Sequence, residues 1–302
     1  MKLSGIIPPI PTPFDAEGGL DLDGLRAVIE RLDPDVDGFL VLGSNGEASY
    51  LDEGERSQVL SVAREAVPKS KPMLAGTGGE ATRLVIERNR VAARTGADAV
   101  LVLPPCYYRA QMSDGALEAH YRAVADASSL PVMLYNIPQA TTLSLSPELI
   151  ARLARHPNIS GLKDSSGNVG ALTEIIRLVP EEFVVMTGNA PTLLPSLSLG
   201  AAGGILAVAN VAPKPYRELW QAFERLELQT AARLQLAYNP IALAVTNVYG
   251  VPGLKAAMRL GGVPAGYPRS PLQDVDGRAE SDLAELLKTL ELLEPRDTAA
   301  PR

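Results

Sequence analysis

Ala99-Val100-Leu101-Val102-Leu103 opens one unit of a pattern that recurs along the first two-thirds of the chain. The run is apolar throughout, and a strand without a polar face suits burial on both sides. Pro104-Pro105 ends it, a helical segment follows over residues 113–128, and Val132-Met133-Leu134-Tyr135 begins the next unit. Two buried strands joined by a segment long enough to cross over form a βαβ unit with parallel strands.

Working outward, comparable runs lie at residues 5–10, 38–42, 72–76, 132–135, 159–163, 183–187 and 204–207, which makes eight with 99–103. Helical periodicity fills the gaps, for example at 20–32, 53–66, 82–95, 147–155 and 169–178. Ser146-Pro147 reads as an N-cap followed by a first-turn proline, and Gly96 as the residue just past a helix end. Eight βα units predict a closed (β/α)8 TIM barrel over residues 1–213, with a doubly wound α/β sheet as the structural alternative. From 214 to 296 the pattern is helical only, at 216–236, 239–249, 253–260 and 280–293. This predicts a C-terminal helical extension, with a frayed tail at 297–302.

The chain has 302 residues, 46% of them apolar, which is enough for one large core. A net charge of −7 argues against nucleic acid or an anionic membrane as partner and leaves a small molecule as the expected ligand. The N-terminal residues do not read as a signal peptide, no stretch reaches the roughly 18 apolar residues of a membrane span, and the single Cys106 permits no internal disulfide. A cytoplasmic location is the expectation.

In barrels, chemistry is expected where strands end. Alternation along Ile159-Ser160-Gly161-Leu162-Lys163 puts Lys163 on the face shared by Gly161 and Ile159, and along the preceding run it sends Met133 and Tyr135 inward. A lysine in such a cavity is driven toward its neutral, nucleophilic form, and a tyrosine beside it can relay protons. The competing reading is an ion pair between Lys163 and Asp164, with Tyr135 only packing. Gly43-Ser44-Asn45-Gly46-Glu47 can turn tightly and offer hydroxyl, amide and N–H groups to a carboxylate, or be an ordinary turn. Pro104-Pro105-Cys106-Tyr107-Tyr108-Arg109 brings two tyrosines to the same end, as a rim or a subunit contact, and Cys106 reads as an inert thiol. Other chemistries lack parts. His120 and His156 are too few for a histidine-rich metal site, no G-x-S-x-G elbow occurs, and Gly76-Thr77-Gly78-Gly79 does not complete a dinucleotide fingerprint.

These motifs together resemble the dihydrodipicolinate synthase/N-acetylneuraminate lyase family of class I aldolases over essentially the whole chain. Gly43-Ser44-Asn45-Gly46-Glu47 resembles the family's G-[ST]-x-G-E carboxylate loop, Tyr135-Asn136-Ile137-Pro138 its Y-N-x-P tyrosine, and Gly161-Leu162-Lys163-Asp164 its Schiff-base strand. The resemblance implies that Lys163 forms an imine with pyruvate and Tyr135 relays protons, with Ser44 and Tyr107 extending the relay. Asn45, Ser165, Gly188 and Ile205 are then expected to line the substrate site. It implies no cofactor or metal, pyruvate and an aldehyde as partners, and a homodimer or homotetramer in which Tyr107 reaches a neighbouring subunit. Synthases of the family generally carry an arginine two residues beyond the Y-N-x-P proline, where Ala140 stands here. Several other stretches, including His156-Pro157-Asn158-Ile159 and Val251-Pro252-Gly253-Leu254-Lys255, resemble 4-hydroxy-2-oxoglutarate aldolase. Cleavage of that compound to pyruvate and glyoxylate is therefore the expected reaction. The alternatives are dihydrodipicolinate synthase, a sugar-acid aldolase or dehydratase, and a non-catalytic pyruvate-binding barrel.

Overall fold

The computed structural model describes residues 3–293; the expected tail and the last residues of the extension lie outside them. Eight parallel strands follow one another around a ring: β1 (Gly5–Ile7), β2 (Phe39–Val41), β3 (Met73–Gly76), β4 (Ala99–Val102), β5 (Val132–Asn136), β6 (Ile159–Asp164), β7 (Val184–Thr187) and β8 (Gly203–Ile205). β8 pairs with β1, and the ring closes between β1 and β2 through the Ile10 N–H to Leu40 O (3.0 Å) and the Leu40 N–H to Pro8 O (3.0 Å). Sequential neighbours all the way round exclude the doubly wound sheet, whose strand order reverses at a switch point. β1 is shorter than the expected 5–10 because Pro8 and Pro9 have no N–H to give a ladder.

Helices α1 (Leu22–Leu32), α2 (Glu53–Ala66), α3 (Thr82–Arg94) and α4 (Asp114–Asp126) cover the first half of the ring. The short α5 (Pro138–Thr141) and then α6 (Pro147–Leu153), α7 (Val169–Leu178), α8 (Leu193–Ser198) and α9 (Pro213–Glu224) cover the second. The expected punctuation is present. Ser146 Oγ accepts the Leu149 N–H at 3.2 Å with Pro147 in the first turn, and Gly96 takes φ +82° beyond α3. α9 packs against β1 and α8, the place of a crossover helix after β8.

Sequence periodicity over 216–236 predicts one helix, but the chain breaks between α9 and α10 (Leu228–Leu243). Leu226 takes φ +62° there. Its N–H bonds Phe223 O, and the Glu227 N–H bonds Ala222 O at 2.8 Å, a helix stop that glycine usually marks. The expected helix at 239–249 is likewise divided. After α10 the chain widens into a π-helical segment, Ala244–Val248, and narrows again into α11 (Gly250–Leu260), with α12 (Gly277–Thr289) last. Among the described residues no helix is long and apolar enough to cross a membrane.

Two cores result from alternation along each strand. Ile7, Leu40, Leu74, Leu101, Met133, Met186 and Ile205 fill the barrel, while Phe39, Val41, Val100, Val102, Leu134 and Leu162 pack outward against the helices. Leu162 therefore faces the helices as expected. Ile159 does not face inward: the register pairs Val132 with Ile159 but Met133 with Gly161, so Ser160 is an extra residue. That bulge turns Ile159 out with Val132 and leaves Gly161 and Lys163 facing in.

His120 lies buried on α4, with Nδ1 2.9 Å from the Thr82 hydroxyl and its ring edge-on to Tyr121. Burial lowers its pKa from 6.5 to about 4, with Glu80 opposing the shift. The unfolded chain takes this proton below about 6.5 and the folded one only near 4, so stability present at neutral pH is lost as pH falls through that window. Denaturant unfolding should show roughly 2 kcal/mol lost to this residue between pH 7 and pH 5. His120→Gln should remove that part of the dependence; an unchanged slope in the variant would mean that His120 takes up its proton at the same pH in the folded and unfolded chain.

Candidate active site

β5 and β6 are adjacent and place Tyr135 directly opposite Lys163. Both side chains point into the upper end of the barrel, 4% and 3% exposed, and the lysine Nζ stands 4.4 Å from the centre of the tyrosine ring. Asp164, next in sequence, points to the other face. Its carboxylate accepts from Asn136 Nδ2 at 2.6 Å and from the Ser166 hydroxyl at 2.7 Å, and burial raises its pKa. The alternative ion pair between Lys163 and Asp164 is therefore not formed. Among the described residues nothing ion-pairs with or hydrogen-bonds to Lys163 Nζ. An amine held this way is a candidate nucleophile toward a carbonyl whenever it is neutral.

A cavity of about 370 Å³ opens above the lysine. Ser44, Asn45, Tyr135, Lys163, Ser165, Gly188 and Ile205 all line it, so seven of the eight residues singled out from sequence meet in one place. Gly188 directly follows β7, and its N–H donates to Asp164 O at 2.6 Å. A Cβ there would stand 1.9 Å from Ser165 Oγ and 2.8 Å from Lys163 Cε, so glycine is what lets those two side chains share the space. Gln139 Nε2 donates to Ser165 O (3.0 Å) and Ser166 O (3.2 Å), tying the segment after β5 to the one after β6.

Ser44–Gly46 forms a tight 3₁₀ turn after β2, anchored by the Thr12 hydroxyl, which donates to Gly46 O at 2.7 Å. Ser44 is exposed to the cavity and Asn45 is half-buried. The roof, which sequence reasoning missed, is the π-helical segment: Val245, Thr246 and Asn247 line the cavity with Gly250 and Val251 beyond. A π-helical turn is often found at functional sites. The available signal was a cluster of Thr, Asn and Gly inside an otherwise apolar helical stretch following Pro240.

A second lobe of about 560 Å³ adjoins the first, sharing Ser44, Tyr135, Ile137 and Val251, and Ala140 lies on it. Its cations are engaged. Arg56, whose pKa burial lowers to about 10, donates to Gly76 O and Ala48 O, and Arg88 pairs with Glu53 at 2.6 Å. Arg109 belongs to the exposed turn Arg109–Gln111 and lines neither lobe.

Tyr107 is the one singled-out residue that this chain does not bring to its own cavity. It is 78% exposed, edge-on to the exposed Tyr108 with ring centres 5.0 Å apart. Its loop is held from below by Glu80, which accepts from the Cys106 and Tyr107 N–H groups at 2.9 Å each. Burial and Glu80 raise the Cys106 pKa, which fits an inert thiol.

Fold and cavity define a (β/α)8-barrel enzyme with its pocket at the C-terminal ends of the strands. A model of the dihydrodipicolinate synthetase family matches residues 2–290. The 4-hydroxy-tetrahydrodipicolinate synthase of Methanospirillum hungatei is 37% identical over 287 residues, covering 94% of this chain and 98% of that protein. The synthase of the same name from Archaeoglobus fulgidus is 34% identical, covering 96% and 99%. Among solved structures, the pyruvate complex of YagE, a family prophage protein from E. coli K12, superposes with a TM-score of 0.91 at 34% identity over 97% of this chain and all of that one. Dihydrodipicolinate synthase from Aquifex aeolicus gives 0.91 at 30% identity, covering 97% of this chain and all of that one. The chain belongs to the dihydrodipicolinate synthetase family and is a lyase-type enzyme.

Because a methyl group at position 188 would meet the movable ends of Ser165 and Lys163 rather than backbone, Gly188→Ala should fold with a thermal midpoint within about 4 °C of the parent. It should nonetheless displace the Lys163 amine by about 1 Å, and borohydride trapping with a small 2-oxo acid reads the effect as a loss of about 10²-fold in rate, as expected for a reacting group moved that far. Trapping at the parental rate would mean that the lysine has room to spare.

Proposed function

We propose that Lys163 attacks the carbonyl of pyruvate to form an imine, and that the derived enamine is the carbon nucleophile that joins, or on reversal releases, an aldehyde. One observation carries this reading: a buried lysine without an ionic partner, facing a tyrosine ring at 4.4 Å in a cavity large enough for a small 2-oxo acid. In this reading Tyr135 moves protons during imine formation and at the aldehyde oxygen. Ser44 and Asn45 meet the carboxylate, while Ser165, Gly188 and Ile205 shape the pocket. Tyr107, exposed beside Tyr108, acts across a contact between subunits of a homodimer or homotetramer, and no metal or cofactor takes part.

For the aldehyde, the relatives' names favour condensation with aspartate semialdehyde, as in 4-hydroxy-tetrahydrodipicolinate synthase, over the cleavage expected from sequence. The second reading, cleavage of 4-hydroxy-2-oxoglutarate, keeps one specific support. Ala140 lies on the cleft where synthases of the family generally carry arginine, and Arg109 does not stand in for it within this chain.

Borohydride added with pyruvate should fix one adduct per chain on Lys163, and Lys163→Arg should abolish it, since a guanidinium stays protonated. An adduct on another lysine, or none, overturns the mechanism. Tyr135→Phe removes only a hydroxyl and should lower turnover about 10²–10⁴-fold with the fold intact.

The two aldehyde readings separate by kcat/KM for the synthase condensation against pyruvate release from 4-hydroxy-2-oxoglutarate. The synthase reading expects the condensation to lead by about tenfold or more; the reverse ranking selects the cleavage. Ala140→Arg should raise the condensation only if position 140 contacts the substrate.

A further inference from the structure

Beneath the Ser44–Gly46 turn, outside the cavity that holds Lys163, Glu47 and Lys255 form an ion pair at 2.5 Å, their side chains 1% and 0% exposed. Lys255 also donates hydrogen bonds to Thr12 O at 2.7 Å and Tyr267 O at 2.6 Å, which fix the direction of its ammonium beside Glu47. The other Glu47 oxygen accepts the Arg269 N–H at 2.8 Å. Four parts of the chain thus converge on one carboxylate and one ammonium: the turn after β2, the segment after β1, α11, and the stretch around residues 267–269.

The backbone at Glu47 is left-handed, with φ +51° and ψ +34°, a conformation that side-chain-bearing residues hold only where their surroundings impose it. Holding α11 against the barrel does not by itself call for ions, because apolar side chains of similar volume commonly serve as well or better. An ion pair with directed hydrogen bonds adds orientation. It fixes where residue 47 sits, and the three residues before it, Ser44, Asn45 and Gly46, close a single hydrogen-bonded turn against it: the Glu47 N–H bonds Ser44 O at 3.1 Å. Thr12 Oγ1 secures the same turn through Gly46 O.

We propose that Glu47 and Lys255 are positioning residues that act through the turn. The pair holds Ser44 and Asn45 at the cavity in the geometry that receives the carboxylate of the 2-oxo acid, so the C-terminal extension sets substrate affinity without touching substrate. The role rests on the imine reading above, and the test separates the two.

The measurement is the pyruvate concentration that gives half-maximal borohydride-trapped adduct, taken well below the unfolding midpoint. Glu47→Gln keeps the side-chain length and removes the charge. It should raise the half-saturating concentration about tenfold or more while the adduct at saturation still approaches one per chain. Thr12→Val removes one hydrogen bond to the turn and buries no unpaired charge; it should shift the same quantity in the same direction by a few-fold, and the double variant Glu47→Gln/Lys255→Met, which leaves no unpaired charge, decides if Glu47→Gln alone does not fold. Leu283→Ala, in the core of α12, serves as the control for general destabilisation and should leave the half-saturating concentration where it was.

A folded Glu47→Gln, Glu47→Gln/Lys255→Met or Thr12→Val chain with parental pyruvate dependence overturns the positioning role, as does an equal shift in Leu283→Ala. An unaltered chain that forms no adduct overturns the imine reading, and this role with it.

Discussion

Everything at the site depends on the register between β5 and β6. Parallel pairing sets Tyr135 opposite Lys163, and the extra residue at Ser160 lets Ile159 join the outer core while Gly161 and Lys163 face the barrel. Closure of the ring removes any free edge along which that register could slip, so the amine has one place to be. Asp164 is carried to the opposite face by the same alternation and is occupied there by Asn136 and Ser166. Strand geometry thus keeps Asp164 away from the amine.

Around this pair the pocket is assembled from pieces far apart in sequence. The turn after β2 supplies Ser44 and Asn45, the residue after β7 is a glycine where a Cβ would displace Ser165 and Lys163, and the π-helical segment closes the top. Each piece has its own anchor. The Thr12 hydroxyl and the buried Glu47–Lys255 pair hold the turn, Gln139 ties the segments after β5 and β6 together, and Glu80 grips the loop that bears Tyr107. Loops carry the chemistry in such barrels because the ring beneath them is rigid, and here the helical extension stiffens one of those loops as well.

Membership of a family defined by pyruvate-using synthases and a site of this shape agree on the class of reaction. They leave the aldehyde to a smaller number of contacts. The position facing the second lobe is an alanine, and the cations of that lobe are engaged by backbone carbonyls and Glu53. Among the described residues that lobe therefore offers no cation that lacks a partner within this chain.

The sequence by itself determined the eight strands, nearly all the barrel helices and the inward pairing of Tyr135 with Lys163, because period-2 and period-3.6 patterns are local and survive without knowledge of neighbours. Ser44 and Asn45 were legible in the glycine-flanked turn motif, which records a local backbone need, whereas Ser165, Gly188 and Ile205 were expected only from the family resemblance. Tertiary structure alone decided the outward turn of Ile159, since a bulge is defined by the partner strand. It alone placed a stop at Leu226, where the closing hydrogen bonds of α9 hold a left-handed backbone on an exposed residue that carries no turn signal. It alone joined Glu47 to Lys255 and brought Thr246 and Asn247 over a lysine on β6. Those contacts join residues far apart along the chain, and a buried charge shows its partner only once both have been removed from water together.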